Sequence, residues 1–243
     1  MLKKMRVSLV LLMIFVGFSN GYSQFGKFSL FGGPMIGWQI PQVDDINTQL
    51  RNSGLPEIST NGYFTIGGGG YMDVPKLDGF RIGGLGTGFS TESKIVTSDN
   101  FTKRVNYKIG YGGISLEYVK PLSETFEFTA GTTIATGQLV IDIYQYKNST
   151  TSWTNNWNEL TNTSSSQNIS RSMALRFYSA TPKVGLGIFL KSYLYAKINA
   201  GYLVSVNSGW TGENGEEIDD APKGIKADGL VFDFSLNFGL FFK

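Results

Sequence analysis

The last stretch of the chain alternates between apolar and other residues over its whole length. One parity holds Leu230, Phe232, Phe234, Leu236, Phe238, Leu240 and Phe242, and the other holds Val231, Asp233, Ser235, Asn237, Gly239 and Phe241. Because successive side chains of a β-strand point to opposite faces, this pattern predicts one apolar face and one largely polar face. At about 3.3 Å per residue, the run can cross a bilayer core of about 30 Å at a tilt. The stretch is therefore predicted to be a transmembrane barrel strand.

The same reading along the chain predicts seven further strands and one helix. The strands are Phe25–Ile40, Asn61–Asp73, Phe80–Ser90, a fourth ending at Val119, Thr125–Tyr146, Ile169–Leu190 and Tyr193–Val206. Between the first two, Val43, Ile46 and Leu50 lie at helical spacing and predict a short helix over Val43–Asn52. Its apolar face would cap the barrel mouth or lie on the rim, and we favour the rim. Pro182 is predicted to mark a bulge, since a closed barrel has no free edge for it.

The predicted connections alternate between long and short. Short turns are expected at Val74–Gly79, Lys120–Ser123 and Lys191–Ser192, and longer loops after Pro41, at Thr91–Thr102, at Lys147–Asn168 and at Asn207–Lys226. Short turns at one end and long loops at the other are typical of outer-membrane barrels with both termini at the periplasmic side. The predicted fold is all-β: an antiparallel up-and-down transmembrane β-barrel. We count eight strands, or ten if a hairpin has been merged.

Charged residues fall on the parities opposite to the apolar ones. They comprise three cations and three carboxylates: Arg81, Glu117, Glu127, Lys183, Lys197 and Asp233. An eight-stranded barrel is only wide enough to be filled by its own side chains. We therefore predict that these six form a paired charge network that closes the lumen to solutes, because isolated charges inside would be costly. The alternative is that some of them lie at the rims and contact water.

The first 23 residues have the layout of a secretory signal peptide. Lys3, Lys4 and Arg6 precede an uncharged apolar run over Val7–Phe18, and small or polar residues follow to Gln24. We predict cleavage after Ser23, which leaves residues 24–243 as the barrel and places it in the outer membrane. Removing the leader changes the net charge from +2 to −1. With no basic excess, nucleic acid is not an expected partner.

The composition of the chain excludes most kinds of catalytic and metal-binding site. The chain contains no His and no Cys, so nucleophilic dyads with His, and zinc or copper sites built on imidazole or thiolate, are excluded. The run Gly67–Gly70 is not followed by the residues of a phosphate-binding loop, and it more simply marks a bend in a strand. The acidic residues between Glu213 and Asp220 lack the order of a dedicated Ca²⁺ loop. We predict no catalytic residue, no metal and no cofactor, and hence no enzyme.

With its signal peptide, alternating strands, loop asymmetry and final aromatic strand, the chain resembles the small outer-membrane β-barrel proteins of Gram-negative bacteria, of the OmpA-barrel and OmpX type. In that family the last strand usually ends on an aromatic residue that the barrel-assembly machinery recognises. Phe242 matches this feature, although Lys243 follows it. The resemblance implies insertion by that machinery into outer-membrane lipid, and roles such as adhesion, envelope integrity or defence.

The function predicted at this point is an outer-membrane barrel with a filled lumen and polar surface loops, in a structural, adhesion or envelope role, as a monomer. The alternative is a small transport or ligand-binding barrel, in the outer membrane or soluble and lipocalin-like in the periplasm. Any extracellular partner is expected to bind at the loops Asn148–Asn168 and Asn207–Lys226. Trp153, Trp157 and Trp210 are the candidate contacts there.

Overall fold

The protein forms a closed antiparallel β-barrel in a computed structural model that describes residues 28–147, 168–222 and 224–242. Its strands are β1 (Phe28–Pro41), β2 (Tyr63–Asp73), β3 (Phe80–Val96), β4 (Phe101–Pro121), β5 (Phe126–Lys147), β6 (Ile169–Lys191), β7 (Leu194–Thr211) and β8 (Gly229–Phe242), and its helix is α1 (Asp44–Asn52). Each strand pairs with the next, and β8 pairs with β1. The predicted up-and-down barrel of eight strands with one short helix is confirmed.

The two ends of the barrel differ. Residues 74–79, 122–125 and 192–193 connect strands at one end, which we call the base. The opposite end, which we call the mouth, carries the ends of β5 and β6 and two mouth segments, which are α1 and the described residues 212–222 with 224–228. The predicted signal peptide lies outside the described residues, and so do Trp153 and Trp157.

On one side, the strands rise as a wall at the mouth. β4, β5 and β6 have 21, 22 and 23 residues, whereas β2 has 11. The predicted long loop at Thr91–Thr102 is wrong, because β3 and β4 stay paired up to Val96 and Thr102 and leave only residues 97–100 as a turn. The loop predicted to begin at Asn207 is likewise shorter, since β7 continues to Thr211. In the upper part of β3, polar side chains such as Glu92, Ser93 and Lys94 lie on both faces of the strand, so the apolar alternation that revealed the other strands is lost.

Pro182 lies in a regular part of β6, and the predicted bulge is wrong. Pro182 pairs with Thr132 of β5 without a break in register. Towards β7 the pairs Ala180–Val204 and Lys183–Gly201 keep one register, with no bridge between them. A proline lacks only one donor, and the sheet accommodates it by omitting bridges on the β7 side. The register shifts of this pair of strands occur elsewhere, between Leu175 and Phe177 and between Phe189 and Lys191.

A belt of exposed apolar side chains surrounds the barrel. On β4 the outward-facing Lys108 and Lys120 bracket residues 109–119, which matches the roughly 9–11 residues that a tilted strand needs to cross a bilayer. Exposed members of the belt include Leu30, Ile36, Ile66, Ile114, Leu116, Ile134, Val184, Leu186, Ile198, Phe232, Phe234 and Phe238. Exposed aromatic residues lie near both of its edges, with Trp38, Phe64, Tyr178 and Tyr202 towards the mouth and Phe80, Phe126 and Tyr193 towards the base. Such girdles are typical of membrane barrels.

The upper half of the lumen is an apolar core, and α1 closes it. Val43, Ile46 and Leu50 belong to one buried cluster with wall and lumen residues such as Ile141 and Trp210. Asn47 ties the helix to the following segment, because its side chain donates to the Ile58 carbonyl and accepts from the Ile58 amide. The helix therefore caps the mouth, and the favoured rim position is wrong. No helix among the described residues is long and apolar enough to span a membrane.

Candidate functional site

Buried ion pairs fill the lower half of the lumen, and Glu117 of β4 is central to them. Its carboxylate lies 2.9 Å from Lys183 Nζ and 2.5 Å from Lys197 Nζ, and all three side chains are buried. Ser115 Oγ also donates a hydrogen bond to it. Lys183 donates further to the Tyr71 hydroxyl at 3.3 Å. One carboxylate thus pairs with two ammonium groups, one from β6 and one from β7.

A second group of ion pairs is built around Arg81 of β3. Its guanidinium lies 2.7 Å from the carboxylate of Glu127 on β5 and 3.0 Å from that of Asp73 on β2. The Tyr195 hydroxyl donates to the same Glu127 carboxylate. The guanidinium also stands over the Phe31 ring, 4.8 Å from its centroid. Arg81 is thereby bound on three sides, by two carboxylates and an aromatic face.

The structure places Asp233 on β8 beside these groups, and not in an ion pair with them. Asp233 accepts a hydrogen bond of 2.6 Å from Asn199 Nδ2 on the adjacent strand β7. With Lys183, Tyr111 and Thr133 it lines a cavity of about 20 Å³ below the apolar core. Of the six charged residues chosen from sequence, five therefore form two ion-paired groups, and Asp233 lies next to them.

Sequence reasoning missed three members of this lower cluster: Asp73, Tyr71 and Tyr195. Asp73 pairs directly with Arg81 across the β2–β3 hairpin, so counting back from the short turn would have found it. Tyr71 and Tyr195 belong to a base cluster with Phe31, and Phe189 and Phe241 pack against it. Their alternation with outward residues was visible, but alternation does not tell a ring that fills the lumen from one at its edge.

Two kinds of filling thus close the lumen along its length. The ion pairs and aromatic rings occupy the base, and the apolar core capped by α1 occupies the mouth. The cations in the lower half each have a carboxylate within 3.0 Å, so they are held by protein groups. In the part of the chain that is described, no group of three or more His, Cys, Asp or Glu could hold a metal ion.

Above the apolar core, between the wall and the two mouth segments, lies a pocket of about 660 Å³. Its apolar lining includes Ile46, Leu50, Leu55, Val105, Ile141, Ile143, Met173, Trp210 and Ile218, and its polar lining includes Gln49, Lys103, Arg104, Asp219 and Asp220. Trp210, a candidate loop contact from sequence, lies in β7 with only 8% of its surface exposed and forms part of this lining. It therefore faces a cavity rather than open solvent.

A closed barrel of eight antiparallel strands, with an apolar outer belt, aromatic girdles and a filled lumen, is the architecture of the transmembrane β-barrels of outer membranes. The outward side chains are those that lipid requires, whereas a soluble lipocalin-like barrel would present polar ones. The class of this protein is therefore the small outer-membrane β-barrel.

Comparisons with solved structures find similar chains at low sequence identity. The chain is similar to Ail, the attachment invasion locus protein of Yersinia pestis, with 13% identity, a TM-score of 0.35, and coverage of 90% of this chain and 100% of that one. It is similar to CarO2 of Acinetobacter baumannii, with 11% identity, a TM-score of 0.34, and coverage of 87% and 99%. It is also similar to the outer membrane protease OmpT of Escherichia coli, with 9% identity, a TM-score of 0.32, and coverage of 92% and 98%. No family model and no curated protein matches the chain.

Proposed function

We propose that this protein is an exported, non-conducting barrel that serves the outer surface of the cell in a structural, adhesive or envelope role. The observation that carries the proposal is the double filling of the lumen, with ion pairs at the base and an apolar, helix-capped core at the mouth. A solute would have to displace both fillings to pass. The role that we propose for the protein is not catalytic, in keeping with a sequence that has no His and no Cys.

We also propose how the protein is exported and inserted into the outer membrane. A signal peptide cleaved after Ser23 would leave Gln24 as the first residue of the mature protein. The strand β8, with its apolar outward parity, would be the segment that the barrel-assembly machinery recognises. The barrel would function as a monomer in outer-membrane lipid, with the mouth available to an extracellular partner.

Electrical recording across planar lipid bilayers tests the closed lumen. We expect the purified barrel to insert without discrete conductance steps, while a porin in the same bilayers gives them. Replacing Glu117, Lys183 and Lys197 together by Ala removes one buried ion-paired group without leaving any of its charges unmatched, and should open a leak. Arg51→Ala with Glu57→Ala, which removes an exposed pair 2.8 Å apart, is the matched control and should stay silent. Regular steps from the unaltered protein would contradict the proposal.

A further inference from the structure

We propose that the mouth pocket binds a single-chain amphiphile with an anionic head group, a molecule of the long-chain carboxylate class. This goes beyond the closed-barrel role, because a pocket above a filled lumen can hold a ligand without conducting it. The pocket volume of about 660 Å³ lies within the roughly 300–1,000 Å³ of small-molecule sites, which are mostly apolar with a few placed polar groups.

The apolar lining defines the body of the ligand. The apolar lining comes from Ile141, Ile143 and Met173 of the wall, from Ile46 and Leu50 of α1, and from Trp210 and Ile218. Water finds few hydrogen-bond partners at such a surface. An alkyl chain that covers it is stabilised by about 25 cal/mol of free energy for each Å² of apolar surface removed from water. The lining therefore favours an apolar chain.

The wall supplies the charge that selects the head group. Lys103 lines the pocket from β4, on the same inward parity as the buried Val105 and Tyr107. Lys103 is partly buried, and no described residue forms an ion pair with it. A cation that is partly removed from water favours an anionic partner.

The opposite rim carries Asp219 and Asp220, which would favour a cationic head group instead. Both carboxylates are exposed, so water already solvates them and they gain little from a counter-ion. Asp142 lies on the outward parity of β5 and accepts the ammonium group of Lys108 at 2.7 Å, so it does not neutralise a charge inside the pocket. The unmet demand in the described pocket is therefore for negative charge at Lys103.

The ligand would come from the aqueous side and not from the bilayer. Val105, Ile141 and Ile143 lie nearer the mouth than Lys108, the residue at which the apolar belt ends on β4. Ile141 and Ile143 flank Asp142, which pairs with that lysine. The pocket is thus above the lipid and opens between the two mouth segments. This position distinguishes it from grooves on the belt, which lipid chains cover.

Quenching of Trp210 by brominated amphiphiles tests the proposal, in barrels held in lipid nanodiscs. A variant with Trp38→Phe, Trp153→Phe and Trp157→Phe leaves Trp210 as the single reporter, and bromine quenches only on close approach. The probes are bromoundecanoate, bromoundecanol and bromoundecylamine, which share one chain. We expect saturable quenching by the carboxylate at lower concentrations than by the alcohol or the amine.

Two further substitutions locate the binding. Lys103→Gln should weaken carboxylate binding roughly tenfold, as expected for the loss of one charged hydrogen bond, and leave the alcohol unchanged. Lys94→Gln, an exposed charge on the outer face of β3, is the matched control and should change neither. Ile143→Glu should abolish binding of the carboxylate while the barrel still migrates as a folded species.

Four results would overturn the proposal. They are quenching that does not saturate, quenching that Ile143→Glu leaves intact, carboxylate binding no tighter than that of the alcohol or amine, and equal effects of Lys103→Gln and Lys94→Gln. None of these depends on whether the lumen conducts, so the two proposals can fail separately.

Discussion

At the scale of single residues, Glu117 shows how a membrane barrel tolerates charge in its interior. Moving an ion out of water costs several kcal/mol even after relaxation, and close partners offset that cost. Glu117 has two ammonium groups within 3.0 Å and a hydroxyl donor. Removing its charge leaves two buried cations sharing one side of the lumen without a carboxylate, so the site depends on this residue more than on either lysine.

We therefore expect Glu117→Gln to lower the free energy of unfolding by about 3–5 kcal/mol, the usual range when one partner of a buried ion pair is lost. Urea titration of the refolded barrel in lipid vesicles, followed by tryptophan fluorescence, measures the change. Glu57→Gln removes an equivalent charge from a pair whose side chains are 63% and 49% exposed. That control should cost at most about 1 kcal/mol, and an equal effect of the two variants would contradict this account of the lumen.

At the scale of elements, α1 closes the mouth of the barrel, and a few buried apolar side chains hold it in position. Leu50 has only 2% of its surface exposed, and Ile46 and Val43 are buried beside it. The rest of the helix surface is largely exposed, and the segment 53–62 that follows it is fastened to β3 by a hydrogen bond from Ser93 Oγ to the Pro56 carbonyl, 2.5 Å long. The helix can therefore loosen without disturbing the barrel below.

We expect Leu50→Ala to loosen α1 and leave the strands intact, because the lost packing belongs to the mouth alone. Truncating a buried Leu costs about 2–5 kcal/mol. Amide hydrogen exchange followed by mass spectrometry should show faster exchange over Asp44–Asn52 and unchanged protection in β4 and β5. Asn52→Ala, at an exposed position of the same helix, is the control and should leave exchange unchanged. Faster exchange throughout the barrel would instead mean that α1 supports the whole fold.

The elements that could be predicted from sequence are those with one face towards lipid. β8 shows this clearly, because Phe232 and Phe234 point outwards to lipid while Ser235 and Asn237 point into the polar part of the lumen. Its two-residue period is therefore easy to recognise. In the upper part of β3, Glu92 and Lys94 face outwards above the belt, and the pattern cannot distinguish a strand from a polar loop. For α1, spacing identified the apolar face of the helix but could not say what that face packs against.

The candidate site was predictable for the same reason, and only in part. Charges on the inward parity of a narrow barrel must lie in the lumen, which is how Arg81, Glu117 and Lys197 could be chosen. Which of them pair depends on strand tilt and stagger, which are not readable from one strand at a time. Asp73 was missed because it lies at the end of a strand, next to the turn residues Val74 and Pro75.

At the scale of the whole molecule, the closed hydrogen-bond ladder and the apolar belt predict a distinctive response to detergent. A closed barrel has no free strand edge, and its outer surface is already suited to detergent chains. We expect the protein to sediment with the outer membrane on fractionation. An unboiled sample should migrate differently from a boiled one in sodium dodecyl sulfate gels.

Glu117→Gln should lower the temperature at which the two bands interconvert, and Glu57→Gln should not. A protein that stays in the soluble periplasmic fraction, or that gives one band under both conditions, would contradict the membrane barrel.

The positions of the ion-pair partners along the chain also bear on how the barrel reaches its native state. Glu117 of β4 takes its lysines from β6 and β7, and Arg81 of β3 reaches Glu127 on β5. None of these three pairs joins neighbouring strands, so pairing strands one at a time does not neutralise them. An open, flat sheet entering the bilayer would carry unmatched charges on one face, and these three pairs form as the sheet curves and brings strands two or three positions apart together. Folding should accordingly be cooperative, with the ion pairs forming together with the curvature that closes the barrel.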